Sequence, residues 1–323
     1  MGRGLALVFA RAGSEVVVRA RQAESLGRAR TAMDAALDVL ERNGALAPSE
    51  REPLLGRIRM TTDLASVDPQ SQLVIETIPE VLKDKQDLLR AVEGLVGPAT
   101  VITTNTSSLP LRQLAGVLWE PSRFAGYHWF NPPELVALVE VVAAESTSSE
   151  TIDSLSSWSS AVGKTPVRVA KEVEGFVANR LQYALLREAY DLVERGVCSM
   201  SDVDLAVRSG LGPRWAAVGP FEAMDLAGLD VHLEVAARLF PLLSTSQTPA
   251  ATLTELVRKG RLGAKSGTGL RGAYDPGHVD EISERRARVV LALQALSSPP
   301  GTAPGRHGAP SLAAEPSPEA PGD

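Results

Sequence analysis

Residues 73–104 read LVIETIPEVLKDKQDLLRAVEGLVGPATVITT. Two short β-branched runs, Leu73 to Glu76 and Val101 to Thr104, flank a stretch from Glu80 to Leu95 with helical periodicity. Strand, helix and strand in that order predict a crossover unit whose helix covers one face of a parallel sheet. The alternation continues on both sides. Further strand-like runs are Val16 to Val18, Phe124 to Trp129, Leu138 to Val142 and Pro166 to Val169. A helical stretch, Glu150 to Val162, leads into Gly163 and the last of these. Upstream, Leu26, Ala29, Met33, Ala36, Leu37 and Leu40 mark one side of a long amphipathic helix ended by Gly44. The fold class is therefore α/β, with a doubly wound parallel sheet.

The 323 residues are 44% hydrophobic and 22% charged, which suits one large or two ordinary domains. After about Glu172 the strand-like runs stop, so a first domain over 1–173 gives way to an all-helical one over 174–296. There Leu181, Leu185, Ala189, Leu192 and Val193 form an apolar stripe, Gly196 sits where the helix would end, and Ser199 with Asp202 resembles a capping box. Helical pairs of this kind often bury such stripes against a second subunit, and a homodimer is expected. Residues 297–323 turn to Pro, Ala, Gly and Ser and read as a disordered tail. With 33 basic and 39 acidic residues, a net of −6 without long single-sign runs, nucleic acid is not an expected partner. The longest apolar stretches, such as Leu135 to Ala144, are broken by Glu140 and fall short of the ~20 residues of a membrane helix. The single cysteine, Cys198, cannot build a disulfide framework or a multi-thiolate metal site, which fits a reducing cytosol.

Residues 1–13, MGRGLALVFARAG, read as the first helix of a βαβ unit, followed directly by a strand. A dinucleotide-binding fold places a strand and a Gly-x-Gly turn before that helix. Both would lie upstream of Met1, so the sheet is expected to lack its first strand, with a gap between the Val16 and Leu73 runs. Two explanations stay open: an assigned start that falls too late, or a product that has lost dinucleotide binding.

Three segments carry the chemistry: Asn105-Thr106-Ser107-Ser108-Leu109, then residues 124–133 from Phe124 through His128 to Pro133, then Leu138-Val139-Glu140-Val141-Val142. Here the sequence resembles the L-3-hydroxyacyl-CoA dehydrogenase family. The likeness continues through Gly175-Phe176-Val177-Ala178-Asn179-Arg180, Gly219-Pro220-Phe221-Glu222 and residues 263–269, and spans about residues 1–275. Gly212-Pro213-Arg214-Trp215 and Asn131-Pro132-Pro133 are most similar to the branch containing lambda-crystallin, an L-gulonate 3-dehydrogenase. The resemblance implies a Rossmann-type domain, lacking its first strand, and a helical dimerisation domain. It also implies hydride transfer between a nicotinamide cofactor and the 3-hydroxyl of a 3-hydroxyacyl-CoA or 3-hydroxy acid.

Such chemistry asks for a base that takes a hydroxyl proton near neutral pH, the task to which imidazole is suited. His128 corresponds to the family base and Glu140 to its orienting carboxylate. By position alone His128 could equally be a buried histidine satisfied by a backbone carbonyl. Glu140 interrupts an apolar run where an unpaired carboxylate would be costly, and His128 would remove that cost. Ser107 and Asn179 match positions that hydrogen-bond the reacting oxygen; each could alternatively cap a helix. For the cofactor, the resemblance implies Gly2, Glu80, Lys85, Ser107, Asn131 and Lys265, although Glu80 and Lys85 alone read as a solvated helix face. The acidic residue expected after the second strand falls on Ala20, between Arg19 and Arg21, which leaves NAD and NADP both open. Positions that contact coenzyme A fall near Ala36 and Asn43, so a CoA-free hydroxy acid is an open alternative, with Arg214 suited to bind its carboxylate. Against the dehydrogenase stands one reading of another class: a non-catalytic dimeric scaffold.

Overall fold

The computed structural model describes residues 1–297, in two compact units, Met1–Phe176 and Val177–Ser297. The first unit runs α1 (Gly2–Arg11), β1 (Val16–Arg19), α2 (Ala23–Arg42), α3 (Pro48–Gly56), β2 (Ile58–Thr61), β3 (Leu73–Glu76), α4 (Leu82–Glu93), β4 (Val101–Thr104), α5 (Leu111–Ala115), β5 (Phe124–Trp129), β6 (Leu138–Ala143), α6 (Ser149–Ala161) and β7 (Thr165–Val169). Strand β1 pairs in parallel with β2, and a second sheet runs β3-β4-β5-β6-β7. Within it every pair is parallel except β5 with β6. That exception departs from the purely parallel expectation for a geometric reason: residues 130–137 cannot span a crossover, which needs a dozen or more residues, so the chain turns back on itself. Strand β2 and helix α3 escape the sequence pattern because β2 carries Arg59 between its apolar residues and α3 contains Pro53.

Strands β1 and β3 are not hydrogen-bonded to each other, as the position of the first helix predicts. Between them lies a cavity of about 1540 Å³, lined by Gly2, Leu5 and Phe9 of α1, the length of β1, and β3 with the loop that follows it. The rest of the unit is closed. On one face Leu5 and Val8 of α1 join Val101, Ala125, Tyr127, Trp129, Val139, Val141 and Leu155. On the other, Ile102, Leu111, Leu114, Phe124, Val142 and Phe176 form a second cluster. The period of two along β5 and β6 puts His128 and Glu140 on this second face, beside Phe124 and Val142.

The second unit holds α7 (Ala178–Glu194), α8 (Met200–Ala206), a π-helical turn at Val207–Leu211, α9 (Gly212–Ala217), α10 (Pro220–Ala227), α11 (Leu229–Leu239), α12 (Ala251–Arg258) and α13 (Pro276–Ser297). Ser199 and Asp202 make the predicted capping box at the start of α8. The expectation of an all-helical unit needs one correction, a small hairpin of β8 (Thr268–Gly269) and β9 (Gly272–Ala273). Gly267 leads into the hairpin and Gly272 follows its two-residue turn, both at positive φ, where glycine is free of strain. The predicted tail lies outside the described residues beyond Ser297. No helix among the described residues is long and apolar enough to cross a membrane, and none of their side chains forms a group that could hold a metal.

Candidate active site

Antiparallel pairing of β5 and β6 sets His128 directly opposite Glu140. Their side chains meet with Nδ1 and Oε2 2.7 Å apart, and both are buried. Such a contact fixes the imidazole tautomer, leaving Nε2 as the atom that exchanges protons. The ring is braced by aromatic edges, Phe130 at 4.6 Å and Phe176 at 5.4 Å between centroids. Phe176 has φ 50°, a left-handed conformation that a bulky residue adopts only under constraint. It follows Gly175, itself at φ 78°, so the chain turns sharply to place this ring.

The loop after β4 lies at the same end of the sheet. Asn105 accepts the Trp129 amide through Oδ1 at 2.8 Å, tying this loop to the strand that carries His128. Ser107 donates its amide to Glu80 Oε1 at 2.8 Å, and its hydroxyl lies 3.4 Å from the same oxygen. Thr106 Oγ1 donates to Glu80 as well, at 3.0 Å. Thus Glu80, just before α4, clamps the loop that bears Ser107.

Lys85 is not part of a solvated helix face. It is 1% exposed, and its ammonium donates to both oxygens of Glu76 at 2.8 Å and to the Ile78 carbonyl at 2.9 Å. It shares one side of α4 with Leu82 and Leu89, at the spacing of a buried stripe. Glu76, which also accepts from Thr104 Oγ1, was not among the expected site residues, and Phe176 was quoted in the 175–180 motif without a role of its own. Glu76 carried a signal, a carboxylate ending the apolar run Leu73-Val74-Ile75.

At Gly2 an added Cβ would lie 2.9 Å from Thr77 Oγ1, so the start of α1 sits close against the loop after β3 and a side chain there would have to push that hydroxyl aside. That helix start, the carboxyl ends of β1, β3 and β4, and Glu80 with Ser107 converge at one end of the sheet. This is the place where open α/β sheets bind dinucleotides, and the residues present fit NAD. Ala20 is followed by Arg21, whose guanidinium meets Asp84 of α4 at 3.3 Å. Arg19 donates through Nε to the Thr62 carbonyl. Position 20 itself carries no acidic group, and the carboxylate of Asp84 is directed to the guanidinium of Arg21. Asn131 is exposed at the turn after β5.

Asn179, Arg214 and Lys265 belong to the second unit. Asn179 is half-buried in the first turn of α7, Arg214 is exposed on α9 directly after the π-helical turn, and Lys265 is exposed between Gly263 and Gly267. Ala36 is half-buried within α2, and Asn43 donates its amide to the Val39 carbonyl, finishing that helix.

Comparison with known proteins agrees with this geometry. Residues 1–173 match the family model described as 3-hydroxyacyl-CoA dehydrogenase, NAD binding domain, and residues 175–273 match its C-terminal domain. The chain is 36% identical to 5-formyl-3-hydroxy-2-methylpyridine 4-carboxylate 5-dehydrogenase of Mesorhizobium japonicum, covering 92% of this chain and 94% of that one. A crystal structure of an enzyme of that name, described as an NAD+ dependent dismutase, superposes with a TM-score of 0.84 over the same shares of the two chains. The mitochondrial hydroxyacyl-coenzyme A dehydrogenase of Sus scrofa is 36% identical, over 83% of this chain and 87% of that one. The alternative of a non-catalytic scaffold finds no support in these relatives or in a site that keeps its buried histidine–carboxylate pair. The chain belongs to the 3-hydroxyacyl-CoA dehydrogenase family and is an NAD-dependent oxidoreductase built as a Rossmann-type domain followed by a helical one.

Proposed function

We propose that this chain oxidises a small, carboxylate-bearing hydroxy compound that is not linked to coenzyme A. The buried contact between His128 and Glu140 carries the chemical part of the reading. His128 Nε2 accepts the substrate hydroxyl proton, and Glu140, at Nδ1, stabilises the imidazolium that results. Ser107 and Asn179 donate hydrogen bonds to the reacting oxygen as its charge changes; for Asn179 this rests on the motif at residues 175–180. NAD, when bound, supplies hydride acceptance. Around it Gly2 lets α1 approach closely and Glu80 holds the loop of Ser107; Asn131 and Lys265 are assigned to the cofactor on their family positions alone.

The substrate class follows from what is missing. Ala36 and Asn43 offer neither a hydroxyl nor an ammonium group for coenzyme A, and the Asn43 amide is spent on its own helix. The Mesorhizobium relative is named for a pyridine carboxylate. Arg214 is a planar guanidinium suited to pair with such a carboxylate in bidentate fashion. A homodimer is also part of this reading, since the apolar side chains of the second unit need a partner surface.

The test is a comparison of kcat/KM, followed by NADH absorbance, for 3-hydroxybutyryl-CoA, free 3-hydroxybutyrate, L-gulonate and the pyridine carboxylate of the Mesorhizobium enzyme. At least one free carboxylate should exceed the CoA ester by about tenfold or more. Arg214→Met should raise KM for that carboxylate by about tenfold, the loss of one charge-assisted pair, and leave the CoA ester unaffected. A CoA ester that outruns every free acid overturns the assignment.

A further inference from the structure

Glu76 is a buried carboxylate that the proposed reaction does not use. Its side chain is 1% exposed and that of Lys85 2%, so the two form a charge pair in the interior. Three donors besides the pairing of strands converge on Glu76: the Lys85 ammonium, Thr104 Oγ1 at 2.6 Å and the Ile78 amide at 2.5 Å. Glu80 stands on the other side of the ammonium, its Oε2 3.4 Å from Nζ. One cation therefore lies between two carboxylates that hold it unequally. The nearer is saturated by donors of the sheet, and the farther clamps the amide and hydroxyl of Ser107.

An ammonium in the interior cannot remain without a counter-charge, and its pull on a neighbouring carboxylate is far stronger there than in water. If the charge of Glu76 were removed, the nearest carboxylate left to Lys85 would be Glu80. Its side chain is 38% exposed, and the hydrogen bonds from Thr106 and Ser107 are what keep it turned toward the loop. Turning toward Nζ would take it off the Ser107 amide.

We propose that Glu76 is a positioning residue for the active-site loop: by satisfying Lys85 it leaves Glu80 free to hold Ser107. The consequence for turnover rests on the role given to Ser107 above, whereas the positioning itself does not.

The experiment is amide hydrogen exchange at Ser107 in the full chain without cofactor. Glu76→Gln should speed exchange at Ser107 by about tenfold or more, because the amide loses its acceptor. Glu76→Gln combined with Lys85→Met removes the cation as well, and should return Ser107 to wild-type protection. Removing both charges would also relieve a merely structural defect, but such a defect would speed exchange throughout β3 and β4 in the single variant, whereas lost positioning speeds it at Ser107 alone. If Glu76→Gln does not fold, Glu76→Asp replaces it; its shorter reach opens Lys85 to Glu80, and the same change is expected at smaller size. Unchanged Ser107 protection in the folded single variant, or protection still lost in the double variant, overturns the proposal. If exchange responds as expected and kcat does not fall, the positioning stands and the catalytic role of Ser107 fails.

Discussion

The two units of this chain bury their side chains in opposite ways. In the first, β4 and β5 are covered on both faces, and Ile102, Phe124, Ala125, Tyr127, Val139, Val141 and Val142 are sealed within the unit. In the second, none of the helices α7 to α12 has a buried residue, and Phe221, Leu226 and Leu233 are each more than 70% exposed. The first closes its core around β4 to β6 with its own elements, leaving open the cavity between β1 and β3; the second carries apolar side chains that none of its own elements covers. Helices gain most of their stability from packing an apolar face. The proton transfer proposed above needs atoms fixed to a few tenths of an ångström, and the pair assigned to it, His128 and Glu140, is buried in the first unit. The shape of the other depends on what covers it.

The largest effect should come from the closed unit. His128→Gln keeps a polar side chain of similar reach but removes the base, and kcat should fall by about 10²- to 10⁴-fold, the range that one positioned acid–base group contributes. Circular dichroism and NADH affinity should stay close to wild type. Glu140→Gln should cost less, because an amide oxygen can still accept from Nδ1, but loses the charge that stabilises the imidazolium. A His128→Gln enzyme within a few-fold of wild-type kcat would place the base elsewhere.

The open unit makes the second prediction. Leu229 and Leu233 are four residues apart on α11, so they share one face. If a second copy covers that face, Leu233→Asp puts a charge into the interface twice, once from each subunit. Losing the burial of a leucine costs about 1.5–3 kcal/mol each time. The dimer dissociation constant should then rise by about a hundredfold or more, measured by sedimentation velocity across a dilution series. A wild-type chain that sediments as a single copy at all concentrations would leave the exposed face to a different partner.

What could be read from the sequence follows the same division. Strands β4 and β5 are legible because a covered strand must be apolar and β3 because its apolar run is short and β-branched, and Leu73 to Glu76 and Phe124 to Trp129 have the observed bounds. The pair of His128 and Glu140 was legible only through the family likeness. Twelve residues of separation say nothing by themselves until the turn at 130–137 brings β5 and β6 into antiparallel register. Lys85 and Glu76 escape a reading by residue type, because their charge hides the buried positions they occupy. Lys85 falls on the apolar side of α4 with Leu82 and Leu89, and Glu76 ends an apolar run. The left-handed Phe176 left no trace, since its conformation depends on the packing of its ring. In the second unit the capping box of Ser199 and Asp202, a local feature, was legible, whereas the hairpin at Thr268 and Gly272 was not: strands of two residues have no periodicity to detect.

The smallest effect tests how tightly the closed unit is sealed near its active-site loop. Lys164 lies between α6 and β7 and donates to the carbonyls of Pro133 at 2.6 Å and Val136 at 2.9 Å, pinning the loop that follows His128. Burial pushes its pKa down to about 8, with Glu134 opposing and Arg11 adding to the shift. In the unfolded chain the amine keeps its proton to about pH 10.4. Between those values the unfolded state binds more protons than the folded one, so the contribution of Lys164 to stability rises with pH. Below about pH 8 both states are protonated, and the whole cost of burying the cation is present. The neutral amine still has two hydrogens for its two carbonyls, so both contacts are kept, without their charge assistance. Tyr127, held neutral by burial against Ser159, does not interfere, because its contribution is lost only above the ordinary phenol range near pH 10. From about pH 7 to about pH 9.5, denaturant titrations should show wild type gaining about 1–2 kcal/mol relative to Lys164→Met. Parallel curves for the two proteins would mean that water reaches this ammonium and that the loop after His128 is open at its base.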